Sequence, residues 1–420
     1  MLERSALPTA ATARSGVPTA GDCDGLPAVA LPTQSPRVRC IALVDDTLSF
    51  PRGVVSWGDD LIVADKVSNL IQRSLGSRIG RIYRYRKTAT GFARTTLLAG
   101  LDNPSAIARG QSKTDAHLLY VATPSAILRF EPDSKEPATT LEIAIADLPT
   151  RGWHYITSVH TRADELFVTV PSASDHCETE FAGATQAAQA LPYPCPELAS
   201  GTPERQVTAA LRRYRVKPDG TIDPRFRIEA RGLRDALALA VDHETGQILA
   251  ADNGWDDIDL RGTTFTDDFH PPDEINLLQS GAHYGWPYCF AADLVTPGYE
   301  NARLDCADYE PPLVLLPAHS APLGMLFLGD HLLVNLHGYR SGGQQTVLFQ
   351  LDSRGLPSGA PDVLVNWRYP QLTDNSGGRP FGLARYPEQH SQPRAQQQGI
   401  EQQIALTDDW NHALLLIMLH

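Results

Sequence analysis

Short apolar runs closed by turn residues recur along almost the whole chain, and that rhythm restricts the fold more than any other feature. PRGVVSWGDDLIVAD places Gly58, Asp59 and Asp60 between two strand-type runs. HLLYVATPSAILRF, ELFVTV, QILAADN, HLLVNLHG, TVLFQLD, PFGLARY, QIALTDD and ALLLIML repeat the form. Runs this short, rich in aliphatic and aromatic residues and bounded by Gly, Asp and Pro, read as strands. Apolar spacing of helical period is scarce. The best case, QVTAALRRYRV, leads into the turn KPDG and suits a strand better. An all-β chain of this kind is a sandwich, a barrel or a propeller.

The 420 residues suffice for one large domain or two medium ones, and no linker divides the strand pattern. Residues 1 to about 36 are rich in Ala, Pro, Thr and Ser, so 1–45 is expected to be a loosely ordered extension and 46–420 the β domain. A formal charge of −13 would be repelled by nucleic-acid phosphates. No window holds ~18 consecutive apolar residues, so no membrane-spanning helix is expected. The cysteines Cys23, Cys40, Cys177, Cys195, Cys289 and Cys306 fall into consecutive pairs separated by 17, 18 and 17 residues. This spacing favours three local disulfides and an oxidising compartment, with other connectivities open. A zinc site is the rival, but no C-x-x-C occurs. The N-terminus MLERSALPTAATARSG has no apolar signal-peptide core, so a periplasmic or secreted location is read from the cysteines and from the resemblance below.

The stretch 231–290 carries the densest chemistry. Arg231 and Arg234 bracket its first turn. Asp252, Asp256, Asp257, Asp259, Asp267, Asp268, Asp273 and Glu274 follow, against the single base Arg261, and Gly281, Tyr284, Gly285, Trp286 and Pro287 close it. Crowded carboxylates repel unless neutralised, and hard oxygen ligands suit calcium or magnesium. A solvated acidic surface loop is the alternative.

The ordered run Gly-Leu-Arg-Asp, Asp-Asn-Gly-Trp, Pro-Asp-Glu-Ile-Asn and Gly-Ala-His-Tyr-Gly-Trp-Pro resembles the central signature of the soluble PQQ-dependent sugar dehydrogenases, which include glucose and sorbosone dehydrogenases. The resemblance spans about residues 46–420 and is densest over 231–290. It implies a six-bladed β-propeller carrying pyrroloquinoline quinone and calcium. A blade needs roughly 40–50 residues. Six blades over this length average about 62 each, so long inserts are expected, at 172–206 and 255–272. The apolar tail ALLLIML is expected to close the ring by pairing with the chain start.

By resemblance His154, ahead of the strand ELFVTV, is the catalytic base, a role suited to a pKa near operating pH; His160 is its competitor. Trp153 stands where the glucose dehydrogenases have an aspartate. Arg234, Asp235, His337 and Arg379 match cofactor-binding positions, and guanidinium groups suit the quinone's carboxylates. Asp235 replaces a common asparagine, and His337 replaces a lysine. The first calcium would bind the backbone carbonyls of Gly254 and Trp255, and a second would lie near Asp273, Glu274 and Tyr284. The implied reaction has His154 take a sugar hydroxyl proton as hydride passes to the quinone, which a separate electron acceptor then reoxidises. Two other classes stay open: a cofactor-free, calcium-stabilised propeller binding module, and a calcium-dependent propeller hydrolase such as a lactonase.

Overall fold

The computed structural model describes residues 17, 19–30, 33–66, 78–149, 152, 154–178, 191–198, 203–261, 263–340, 342–368, 377–387 and 402–420. Their regular structure is β-strand with a few short 3-10 turns. Six antiparallel sheets form the blades of a propeller. The innermost strands, from blade 1 to blade 6, are Pro51–Trp57, Ala106–Arg109, Val159–Arg162, Ala238–Val241, Pro322–Leu328 and Pro380–Tyr386. Each contacts the next, and the last contacts the first, so the ring is closed.

Why the strand runs are continuously apolar follows from this packing. A blade is covered on both faces by its neighbours, so alternation is lost. Asp60–Asp65, Leu119–Thr123 and Ile248–Asp252 are buried at every position. The core is accordingly split into clusters between blades. Leu249, Ile275, Val334 and Phe349 join blades 4 and 5, and Tyr120, Ile127, Leu166 and Val168 join blades 2 and 3.

Ring closure uses both ends of the chain. Val38–Asp45 is the fourth strand of blade 6 and pairs with Ala413–Leu419, with Ile41 opposite Ile417. Thr19–Cys23 and Leu26–Val29 add a hairpin outside it, and Thr33–Gln34 pairs with Pro357–Asn366 of blade 5. The segment 19–45, expected as a loosely held extension, therefore supplies strands to two blades. Its prolines and small residues hid a role that depends on the far end of the chain. The cysteines pair as expected, Cys23 with Cys40, Cys177 with Cys195 and Cys289 with Cys306.

Strand direction alternates within a blade. The connection between blades and the connection from second to third strand therefore emerge on one face of the ring. The two long inserts, 171–209 and 253–272, are both second-to-third connections, in blades 3 and 4.

Candidate active site

All the residues singled out around the ring axis lie on this loop-bearing face. His154 sits in the connection entering blade 3. Its Nδ1 lies 3.1 Å from the Ser172 carbonyl oxygen and 2.9 Å from Ser172 Oγ. The carbonyl only accepts, and the Ser172 hydroxyl donates to the Ser174 carbonyl at 2.6 Å. Nδ1 must therefore carry the proton, which leaves Nε2 as the basic nitrogen. Burial, reinforced by the Arg234 charge, holds the ring below its ordinary pKa of 6.5, so it is neutral at pH 7. Ser172 thus orients the ring; Trp153, at the position of the missing aspartate, lies outside the described residues. His160 is different. It lies in the innermost strand of blade 3, bonded to Ser158 Oγ at 2.9 Å, and burial pushes it down to about 4.

Close backbone approach sets this geometry. Gly152 has φ of 79°, and a Cβ there would overlap the Ala173 carbonyl, next to Ser172. Gly152→Ala is expected to push the two segments apart, lowering turnover by roughly 10- to 100-fold with a lower melting temperature. Steady-state kinetics with a thermal melt checks this; unchanged turnover refutes the positioning argument.

Arg234 is 4% exposed and already has an anionic partner, Asp175 of the blade 3 insert. One Nη2 meets Asp175 Oδ1, Nε donates to the Asp175 carbonyl at 3.0 Å, and Nη1 donates to the Asn253 carbonyl at 3.2 Å. Burial alone would raise the Asp175 carboxyl, but Arg234 and His176 outweigh it and hold it well below the carboxylate range. The backbone N–H groups of Arg234 and Asp235 donate to Asp252 at 2.8 and 2.7 Å. Asp235 Oδ2 accepts from Asn253 Nδ2 at 3.2 Å, and its Oδ1 is buried with no hydrogen-bond partner among the described residues.

Across the mouth, Arg379 donates from Nε to the His337 carbonyl and from Nη2 to His337 Nδ1, both at 3.0 Å. His337 Nε2 donates to Asp409 at 2.9 Å. Both ring nitrogens of His337 therefore have protein partners, so it braces Arg379 rather than offering a free donor to a ligand. Asp409 also pairs with Arg52 at 3.2 Å. Lys66, opening the second-to-third connection of blade 1, donates to Tyr155 Oη at 3.0 Å.

Gly254 and Trp255 lie where the second-to-third connection of blade 4 begins, and among the described residues no hydrogen bond reaches either carbonyl. The Oδ1 atoms of Asn253 and Asp235 are buried without a hydrogen-bond partner among the described residues, and such oxygens, with backbone carbonyls, are donors of the kind calcium takes. Gly254, Trp255, Glu274 and Tyr284 line one small recess beside Arg234. Of the second expected calcium set, Glu274 and Tyr284 line this recess, and Asp273 is bonded elsewhere. Adjacent strand residues point to opposite faces. Asp273 accepts from Gly254 N, Ser320 Oγ and Ala321 N at 2.8, 2.8 and 2.7 Å. Glu274 accepts from Ala291 N at 2.8 Å, and Tyr284 Oη bonds the Leu277 carbonyl and Gln279 N at 2.8 and 2.7 Å. Burial raises Asp273 to about 6 and Glu274 to about 7. No cluster of three or more His, Cys, Asp or Glu ligands occurs among the described residues. The acidic loop is neutralised in part by protein cations: His319 Nδ1 pairs with Asp256 at 3.0 Å, and Arg340 with Asp267 at 2.5 Å.

Sequence reasoning missed Ser172, Asp175, Arg52, Lys66 and Asp409 as members of this face. The available signals were weak: a polar residue just after a strand, as at Lys66 and Asp409, or inside an insert, as at Asp175.

The family described as TrAA12-like matches residues 40–347. The chain is similar to the Trichoderma reesei structure of carbohydrate-active enzymes family AA12 in its iodide form, at 16% identity and a TM-score of 0.69, covering 93% of this chain and 98% of that one. It is similar to the holo form of the pyranose dehydrogenase PQQ domain from Coprinopsis cinerea, at 16% identity and a TM-score of 0.62, covering 92% and 96%. The soluble aldose sugar dehydrogenase of Escherichia coli, in its apo form, matches at 10% identity and a TM-score of 0.56, covering 90% and 99%. At these identities the likeness concerns the fold. An uncharacterized protein of Borreliella burgdorferi is 33% identical over 101 residues, 24% of this chain and 24% of that protein.

Proposed function

The chain belongs to the TrAA12-like family, and from that premise we propose that it is a quinoprotein oxidoreductase that oxidises an aldose or sugar-like alcohol, with pyrroloquinoline quinone and calcium. The observation that carries this reading is His154: a half-buried, neutral imidazole with its proton fixed on Nδ1, on the same face as buried Arg52 and Arg234 and half-buried Arg379. The names of similar proteins support it, a pyranose dehydrogenase PQQ domain and a calcium structure of family AA12 among them.

Arg379, braced by His337, and Arg234 would hold the quinone's carboxylates, with Asp235 beside them. The Gly254 and Trp255 carbonyls would hold calcium. When bound, the quinone supplies acceptance of two electrons and calcium the Lewis acidity that favours it. His154 Nε2 takes the proton of the sugar hydroxyl. Ser172 keeps the ring in the tautomer that makes this possible, and accepts from Nδ1–H as the ring becomes charged. Arg234, which disfavours the imidazolium, keeps the base form present at neutral pH.

One observation favours a second reading, a cofactor-free propeller module: Asp175 already occupies the Arg234 guanidinium. Titrating purified protein with quinone and calcium, recording the absorption spectrum and then aldose oxidation with an artificial acceptor, separates the two. Absence of binding at micromolar quinone leaves the module.

Calcium removal gives an independent check. A cation bound only to the folded state stabilises it by mass action, about 2.7 kcal/mol when free calcium is ~100 times its Kd. Excess chelator is expected to lower the melting temperature, and calcium, not sodium, to restore it. An unchanged melt refutes the metal assignment. Three disulfides support export to the periplasm or beyond. No described helix is long and apolar enough to cross a membrane.

A further inference from the structure

We propose that Lys66 is a carboxylate-binding residue of this site, acting with Arg52 and Arg379 on a carboxylate of the bound quinone; this rests on the quinone reading above.

The geometry supports it from three sides. Lys66 is 2% exposed, and its backbone N–H donates to the Phe50 carbonyl at 3.0 Å, which carries it to the connection entering blade 1. Its ammonium donates to Tyr155, the residue after the candidate base, and stands 5.1 Å from the Tyr155 ring and 5.7 Å from the Phe50 ring. Arg52, Asp409 and Asp102 act on it electrostatically. Lys66 therefore sits between the base segment and the Arg52–Asp409–His337–Arg379 network.

An ammonium has three donors, and Tyr155 accepts one. Among the described residues no carboxylate lies within ion-pair distance of Lys66. Asp409 is shared by Arg52 and His337. Asp408 is occupied by N–H groups of Arg379, Trp410 and Asn411. Of buried Lys66 and Arg52 and half-buried Arg379, only Arg52 is in ion-pair contact with a carboxylate, Asp409, among the described residues. Arg52 Nε is itself buried without a partner. Excess buried positive charge is unfavourable alone and favourable once an anion enters. Burial first, then Arg52, pushes Lys66 down to about 7, so its protonation becomes coupled to arrival of a carboxylate.

Quinone titration of wild type, Lys66→Met and Lys66→Arg, each with a thermal melt, tests this. Lys66→Met is expected to raise the quinone Kd roughly 10- to 100-fold at pH 6.5, while Lys66→Arg stays near wild type. The wild-type Kd is expected to rise between about pH 7 and 9, towards tenfold per unit, and both variants to lose that slope. Among the facing groups, burial holds His337 near 4 and Tyr155 near 12, and His154 titrates below 6.5, so the window isolates Lys66. The wild-type slope needs no variant, so a misfolded Lys66→Met does not rescue the idea. A second arm compares KM for D-glucuronate and D-glucose. If Lys66→Met changes only the glucuronate KM, the carboxylate bound is the substrate's. Flat results in both arms overturn the assignment while the quinone reading stands. A wild type that binds no quinone removes both.

Discussion

Replacing His154 by alanine is expected to leave quinone affinity nearly unchanged while cutting aldose turnover by roughly 10²–10⁴, the usual worth of a positioned general base. The imidazole is half-buried and its proton is held on Nδ1 by Ser172, so the loss falls on proton removal and not on assembly of the site. The pH profile carries the sign. A base must be deprotonated, and His154 is held below 6.5 by burial and Arg234. Wild-type kcat/KM is therefore expected to be on its plateau at pH 7 and to fall on acidification below 6.5. Ser172→Ala should lower turnover less, by about 10-fold, because only the hydroxyl contact is lost while the Ser172 carbonyl still accepts from Nδ1–H. Full activity in His154→Ala would reassign the base.

Arg234→Ala has the largest expected effect on the protein itself. It leaves the Asp175 carboxylate facing Asp256 in a largely buried place without its counter-ion. Breaking a buried pair by removing one member costs about 3–5 kcal/mol. Denaturant unfolding at pH 7 measures it, and quinone affinity is expected to fall as well. The double variant Arg234→Ala/Asp175→Ala should recover part of the loss, since no charge is stranded. Simple additivity of the two single variants would show that the pair is not coupled. The Asp175 carboxyl is depressed in the folded state, so the pair's contribution is complete above the unfolded value, near 3.8, and disappears as pH falls through the folded value. The stability gap between wild type and Arg234→Ala should therefore narrow below about pH 4.

Much of the architecture was legible because it is written locally. A strand is set by a few consecutive residues, and burial on both blade faces turns it into an unbroken apolar run, as in Asp60–Asp65. Disulfides closing 17- and 18-residue loops follow from short separations. His154 and Arg234 were singled out because each lies in a contiguous motif. The segment 19–45 was misread because its order depends on pairing with strands near the other end of the chain. Asp273 and Glu274, neighbours in the sequence, face opposite ways on their strand, which linear proximity conceals.

What the sequence alone determined is the set of strands and the motifs that hold His154, Arg234 and Arg379, while the closed ring was implied by the family resemblance and the local cysteine pairing was one of several open connectivities. The tertiary structure decided which partners those residues have. Lys66 meets Tyr155 across 89 positions, His337 meets Asp409 across 72, and Arg234 meets Asp175 across 59. Each pair joins connections from different blades that converge on one end of the ring axis. No local pattern encodes that convergence, yet it fixes the His154 tautomer, occupies Arg234 and brings Lys66 to the site, because charge and proton affinity in a buried place depend on neighbours in space.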